Sequence, residues 1–368
     1  MMWSMPGAER PLRVVELVPS LVLGGAEAFG VALSDAMLEA GHEVWLVTLN
    51  EGEALLSRVS PALRERRLHV PKRGRVDPTV LPRLAARLRA LRPDVVHTHL
   101  FTGLAWGTVA ARLARVPVVV YTEHACHADD EAWVPWLRRP LSGMVDHVVG
   151  CSPAAVEAVA RHRWAPYAPV SCIDNGVPMR GRPRAALDGL HLGTVGRLVP
   201  IKGQRFLVEA VGLLRDRGVD VRLTIVGDGP LRAELEAQVA RLALGDRVTL
   251  TGPSDDVPGW MGRFDLFVLP SLSEALPMTL LEAGAAGLPL LVTTGGGGPT
   301  LLEAGAGGWA VPPGDAGALA ERIAAYAALD LDARRALGEA SRAVVEARYG
   351  IAGTAERYVA LFRALRGG

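Results

Sequence analysis

The sequence predicts an α/β protein built from two Rossmann-like domains in tandem, each a parallel sheet covered by helices. Three observations predict it. The chain has 368 residues, about twice the usual single-domain length. Short β-branched runs alternate with longer Ala/Leu/Arg segments of helical period, and the alternation occurs twice over. Alternating strands and helices imply parallel sheets with helices on both faces.

In the first half, Arg13–Val18, Glu43–Leu49, Val95–Thr98, Pro117–Thr122 and His147–Gly150 read as buried parallel strands, being short apolar runs bounded by turn residues. Ala26–Ala40 reads as a helix with Phe29, Leu33 and Met37 on one face. In the second half the strands are His191–Val195, Arg222–Val226, Val248–Thr251, Leu266–Leu269 and Leu290–Val292, with helices beginning near Gln204, Leu231, Pro277 and Asp315. The break falls around Ile173–Arg184, where Asp174-Asn175-Gly176-Val177-Pro178 ends a strand and a Pro/Arg/Gly stretch follows. The expected organisation is therefore 1–173, 174–350 and a terminal segment 351–368 whose helix, roughly Ala352–Leu365, packs back on the first domain. Two such domains facing each other place a ligand in the cleft, at the carboxyl ends of the strands.

Nearly half of the residues (49%) are apolar and the formal charge is +1, so each half can bury a core and disorder is excluded. The charge is +2 over residues 1–172 and −1 over the rest; neither half has the basic surface that nucleic acid demands. Cys126, Cys151 and Cys172 form no C-x-x-C pair, which fits a reduced, cytoplasmic protein. Residues 1–10 lack the apolar segment of a signal peptide, and no apolar run approaches the roughly 20 residues of a membrane span. Lys72 and Lys202 are the only lysines, against 38 arginines. That bias reflects a GC-rich genome and draws notice to each lysine that remains.

Gly193-Thr194-Val195-Gly196-Arg197-Leu198-Val199-Pro200-Ile201-Lys202-Gly203-Gln204 reads as a strand, a tight turn and a helix start. Arg197 and Lys202 then lie at the strand's carboxyl end, where a planar guanidinium and a compact ammonium together suit a diphosphate. The competing reading is two solvated surface charges. Further on, Pro277 suits the first turn of a helix running through Glu282 to about Ala286. Glu274 then lies in the loop ahead of that helix and Glu282 in its second turn, eight residues on. The intervening helix N-terminus directs free amides at an anion. One carboxylate for each of two sugars, with a phosphate site between, is a coherent arrangement; a pair of surface glutamates is the alternative.

The ordered set Gly196-Arg197-x4-Lys202-Gly203, Val226-Gly227-Asp228-Gly229-Pro230-Leu231 and Glu274-x7-Glu282 closely resembles glycosyltransferase family 4. These are retaining enzymes of the GT-B fold, and the resemblance spans nearly the whole chain. It implies that Arg197 and Lys202 neutralise a donor diphosphate in place of a metal, so that no cofactor is needed. It implies further that Glu282 binds the ribose and Glu274 the donor sugar, and that amides of Ala275, Leu276 and Met278 complete the phosphate cradle beside Gly196. The family usually has Glu where Thr300 stands, after Gly295–Gly298, a departure that bears on donor choice.

In the first half, Leu23-Gly24-Gly25-Ala26-Glu27 opens a helix without a G-x-G-x-x-G fingerprint. Gly24 and Gly25 still let a phosphate approach the backbone, unless they serve a structural turn alone. By resemblance this Gly-Gly-x-Glu loop closes over the donor phosphate, with Glu27 facing the acceptor. Tyr121-Thr122-Glu123-His124 ends a strand at the same edge. The family places a histidine there against the donor sugar and the leaving phosphate, which makes His124 the fourth catalytic candidate beside Arg197, Lys202 and Glu274. His97 and His99 share a strand face; His99 lines the acceptor cleft or is an ordinary strand-end histidine. His124-Ala125-Cys126-His127 with Asp129-Asp130-Glu131 has no second ligand cluster, so no metal is expected. Asp255-Asp256 reads as loop or cap acids and Ser152 as a helix cap.

Two stretches offer peripheral contact with a membrane: Arg64–Arg75, six basic residues against one acidic, and Trp133/Trp136 beside Arg138-Arg139. Solvated charges and core tryptophans are the plainer reading. The expected activity is retaining transfer of a hexosyl group from a UDP- or GDP-sugar to an acceptor hydroxyl, lipid-linked in surface polysaccharide or glycolipid assembly. A natural-product acceptor, a nucleotide-sugar epimerase of the same fold and an idle sugar-nucleotide binding module are the rivals.

Overall fold

A computed structural model describes residues 10–74, 76–124, 134–179, 190–274 and 276–367. The chain divides into two compact units, one ending at Asp174 and rejoined from Thr354 onward, the other running from Asn175 to Gly353.

The first unit holds seven strands: β1 (Arg13–Val18), β2 (Glu43–Thr48), β3 (Arg67–His69), β4 (Val95–His99), β5 (Val118–Glu123), β6 (His147–Gly150) and β7 (Val170–Cys172). All neighbours pair parallel, in the order β3-β2-β1-β4-β5-β6-β7. The central strands are apolar on both faces because helices cover both, so they read as continuous runs. The two strands not anticipated, β3 and β7, are edge strands of three partly exposed residues, too short and too wet to leave an apolar run.

The helix Ile351–Gly367 buries Thr354, Ala355, Tyr358, Val359 and Phe362, a stripe at helical spacing. Its Tyr358 and Phe362 rings lie 4.9 and 5.6 Å from the ring of His97 on β4. Ser152 caps the helix Pro153–His162 by accepting from the Ala155 amide at 3.2 Å.

The second unit repeats the plan with β8 (Leu190–Val195), β9 (Val221–Val226), β10 (Val248–Gly252), β11 (Leu266–Leu269), β12 (Leu290–Thr293) and β13 (Gly308–Val311), in the order β10-β9-β8-β11-β12-β13. The unforeseen strand is again an edge, β13. The 19-residue helix Leu331–Tyr349 was also not anticipated; only Gly338, Ser341, Val345 and Tyr349 of it are buried, so its apolar stripe is thin. Asp330 caps it through the Ala333 amide, and Asp256 caps Val257–Met261 in the same way.

Both sheets reverse strand order beside their first strand, between β1 and β4 and between β8 and β11. Loops leaving the carboxyl ends there diverge and open a crevice, the usual ligand position of such sheets. Among the described residues no helix is long and apolar enough to cross a membrane.

Because Phe362 is fully buried against His97 and Tyr358, Phe362→Ala is expected to lower the unfolding free energy by about 3–5 kcal/mol, read by urea denaturation.

Candidate active site

In the second unit, two loops are stitched side by side. The Gly196 amide donates to Val226 O and the Leu198 amide to Asp228 O, each at 2.9 Å, so the Gly227–Leu231 segment supports the loop that presents Arg197. The Arg197 guanidinium is exposed and, among the described residues, has no ion pair; its carbonyl accepts from Gln204 Nε2 at 3.0 Å. A tight turn, Pro200–Lys202, then leads through Gly203 into the helix Gln204–Asp216. Gly203 has φ +66°, and a Cβ there would collide with the Pro270 carbonyl. Only glycine meets both conditions.

That closeness lets the Leu272 amide donate to Ile201 O at 2.7 Å and draws the loop after β11 onto the lysine turn. Lys202 Nζ donates to Glu274 Oε1, and Ser271 Oγ donates to the same oxygen at 2.7 Å. Glu274 is further fixed through its backbone: its amide donates to Gly295 O at 3.2 Å, and its carbonyl accepts from the Gly297 amide at 2.9 Å. A Cβ on Gly296 would overlap the Glu274 carbonyl oxygen, which gives the Gly295–Gly298 run a role as the bed of the Glu274 loop. Thr300 lies in the short helix Gly298–Glu303 that follows.

The helix expected from Pro277 starts one residue later, at Met278, and ends at Ala285; Pro277 takes the extended cap position. Glu282 is half-buried in its second turn, while Leu276 and Met278 are buried. The first amides of any helix lack intrahelical acceptors, and this helix starts four residues after Glu274. Ala275 lies outside the described residues.

In the first unit a buried polar chain runs across β1, β4 and β5. The Glu16 carboxylate, 0% exposed, takes one histidine on each oxygen: His97 Nδ1 at 2.9 Å and His99 Nε2 at 2.8 Å. His97 Nε2 lies 2.7 Å from Thr122 Oγ1, which lies 3.0 Å from the Tyr358 hydroxyl. His99 Nδ1 meets His124 Nε2 at 2.9 Å. The register sets this up, since Glu16 on β1 stands beside His97 on β4. Directly after His99, Leu100 has φ +58°, a costly angle for a branched residue, and it turns the chain sharply off the strand.

Burial alone would raise the Glu16 carboxyl, but the charge and hydrogen bonds of His97 and His99 outweigh it and hold it at about 2. Burial, with His97 alongside, lowers His99 to about 4 against the pull of Glu16. Burial and the neighbouring His99 and His97 push His124 well below the ordinary histidine range. Ligand-type atoms of Glu16, His97 and His99 lie within 4.8 Å of one another, the one such cluster among the described residues; they already hydrogen-bond to each other.

Two expectations need correction. His99 does not line an acceptor surface: it is 0% exposed and both its ring nitrogens are engaged. Glu27 is 8% exposed and folds back over Gly24, with Gly24 capping and Gly25 starting the helix Gly25–Glu39; burial raises its carboxyl against the pull of its own backbone amide. The basic stretch is largely occupied too. Arg64 donates to Val59 O and Leu56 O, Arg66 lies over Trp45, and Arg67 pairs with Glu53. Arg138 is buried on Glu123. Cys126, His127, Asp129, Asp130, Glu131 and Trp133 lie outside the described residues, as does the side chain of Trp136.

The profile described as Glycosyltransferase Family 4 matches residues 23–180, and that described as Glycosyl transferases group 1 matches residues 189–328. This chain is a family 4 glycosyltransferase. Among relatives of the glycosyltransferase, EpsF of Bacillus subtilis, itself named only provisionally as a glycosyltransferase, is 26% identical over 307 residues, covering 76% of this chain and 79% of that one. The Escherichia coli UDP-Gal:alpha-D-GlcNAc-diphosphoundecaprenol alpha-1,3-galactosyltransferase is 29% identical over 228 residues, 56% of this chain and 59% of its own. In fold, the glycosyltransferase is similar to Anabaena HepE, solved with UDP and glucose, at TM-score 0.81 and 19% identity over 96% of this chain and 99% of that one. The two Rossmann-like units are those of the GT-B class.

Glu16 is the functional candidate that sequence reasoning missed in this glycosyltransferase. One signal was present: a lone carboxylate inside the otherwise apolar run Arg13–Val18.

Acid should destabilise the enzyme in two windows. From about pH 6.5 down to 4 the unfolded chain protonates His99 while the folded one does not, so stability falls on acidification. From about pH 4.5 down to 2 the same holds for Glu16, protonated first in the unfolded chain. Urea midpoints measured across pH 3–7 check both. Gly296→Ala, by overpacking the Glu274 loop, is expected to cost about 1–3 kcal/mol in the same assay.

Proposed function

We propose that this glycosyltransferase moves a hexosyl group from a nucleotide diphosphate sugar, a UDP-sugar first, to an acceptor hydroxyl, with retention at the anomeric carbon and without a metal. The observation that carries the reading is the meeting of Lys202 with Glu274 at the carboxyl edge of the second sheet, with exposed Arg197 on the same loop. Lys202 and Arg197 bind the diphosphate, and the amides at the Met278 helix start take its remaining oxygens. Glu274 receives the donor sugar and Glu282 the ribose. As the bond from the anomeric carbon to the phosphate oxygen breaks, one from that carbon to the acceptor oxygen forms on the same face. The leaving phosphate oxygen takes the acceptor's proton, and fixed cations and amides stabilise the departing charge. His124 is the first unit's own candidate for a hydrogen bond to a substrate hydroxyl. The Escherichia coli galactosyltransferase, named for a diphosphoundecaprenol-linked acceptor, supports a lipid-linked acceptor here.

Lys202 is already committed to Glu274. A diphosphate therefore competes for the ammonium, or shares it with the carboxylate, and the sugar hydroxyls repay Glu274 for what it loses.

A mass-spectrometric screen of UDP-, GDP- and ADP-sugars with lipid-linked and water-soluble acceptors should show one donor consumed, undiminished in EDTA. Proton NMR of the product should show the donor's anomeric configuration. A strict need for divalent metal, or inversion, overturns the mechanism. Lys202→Ala should weaken UDP binding roughly 10- to 100-fold, the worth of about 1.5–3 kcal/mol for a charged hydrogen bond, in a thermal-shift titration. Unchanged affinity refutes the phosphate assignment.

A further inference from the structure

We propose that Glu16 and His99 form a relay of fixed polarity that sets the tautomer of His124, so that His124 carries its proton on Nε2 and meets substrate through a bare Nδ1. His99 is thereby a positioning residue. That His124 touches substrate rests on the function proposed above; its tautomer does not.

The chain of hydrogen bonds starts at the carboxylate. An ionised carboxylate only accepts hydrogen bonds, and Glu16 has a histidine nitrogen on each oxygen, with no solvent to offer another donor. Each facing nitrogen must therefore be the protonated one: Nδ1–H on His97 and Nε2–H on His99. A neutral imidazole has one donor and one acceptor, so His99 Nδ1 is left as an acceptor. The atom it meets, His124 Nε2 at 2.9 Å, must then be a donor, and a neutral His124 has its lone pair on Nδ1. Each step is forced by the one before it.

Packing holds the rings in these orientations. Phe29 packs edge-to-face with its ring centre 6.1 Å from that of His99 and 5.8 Å from that of His124. Turning the His99 ring over would break its bonds to Glu16 and His124 together. The second arm balances the first, because Thr122 occupies the far nitrogen of His97 and is itself held by the Tyr358 hydroxyl.

The chemical outcome is specific. A His124 of this polarity accepts a hydrogen bond from a sugar or acceptor hydroxyl, and it cannot donate one to a phosphate oxygen. Its role in transfer narrows to holding a hydroxyl. This resembles the way a buried carboxylate orients a histidine base in hydrolytic triads, here with a second imidazole between.

The test uses the full-length protein labelled with 15N in its histidine rings. Two-bond 15N–1H correlation at neutral pH should show a protonated Nε2 and an unprotonated Nδ1 for His124, assigned by the signal lost in His124→Gln. His99→Leu should scramble that tautomer and lower kcat on the order of 10- to 100-fold, the usual cost of losing an outer partner of a functional histidine. The KM for donor should stay within about twofold, because the loss lies in the transition state. His99→Gln, whose amide offers the same donor and acceptor, should restore most of both. The proposal falls if wild-type His124 carries its proton on Nδ1, if Gln and Leu at position 99 are equally impaired, or if elemental analysis finds a stoichiometric metal that Glu16→Gln abolishes. Should the wild type turn over none of the donors offered, the NMR result still decides the relay, and the failure belongs to the proposed function.

Discussion

In each unit the strand order reverses beside the first strand, and the two loops that diverge there must be held by something other than the sheet. The second unit does this with backbone and an ion pair. The Gly196 loop is stitched to the Gly227 loop, the lysine turn to the Leu272 segment, and Lys202 closes on Glu274. The first unit uses side chains. Glu16 on one side of the reversal binds His97 and His99 on the other, and through His99 reaches His124 just past the end of the next strand. In the second unit partly exposed groups do the holding; in the first the groups that hold the loops are sealed beneath them.

The two solutions differ in what they leave for a ligand. In the second unit a lysine about one-quarter exposed and an exposed arginine remain within reach of solvent, the lysine holding a carboxylate. In the first unit the charge is sealed. Glu16 is worth its burial only because two imidazoles meet it; removing either partner would leave an uncompensated buried charge, which is far more destabilising than the pair is stabilising. Such a network tolerates little substitution.

Much of this was legible in the amino-acid order. Strands buried on both faces, such as Arg13–Val18, His147–Gly150 and Leu266–Leu269, were read to the residue, because burial on both sides leaves an unbroken apolar run. The edge strands β3, β7 and β13 were not, since a half-exposed edge needs no such run. Arg197, Lys202, Glu274 and Glu282 were picked out because glycines and a proline mark the turns that carry them. Glu16 was passed over. Its partners stand 81 and 83 positions away, and the one local signal, an acid within an apolar run, does not say what pairs with it. His97 and His99 were placed on one face, yet which face was sealed depended on the Tyr358 helix, contributed from the far end of the chain.

That last contribution makes the first unit discontinuous. Its sheet is complete by Cys172, but Tyr358 and Phe362, which cover His97 and close the polar chain, follow the whole second unit. At the ribosome's pace of about 5–20 residues per second, the nascent first unit waits some ten seconds or longer with that apolar and polar surface open. The second unit, contiguous from Asn175 to Gly353, is made in that interval. The unit begun first is thus completed last, and the surface left waiting is the one that holds the histidine relay.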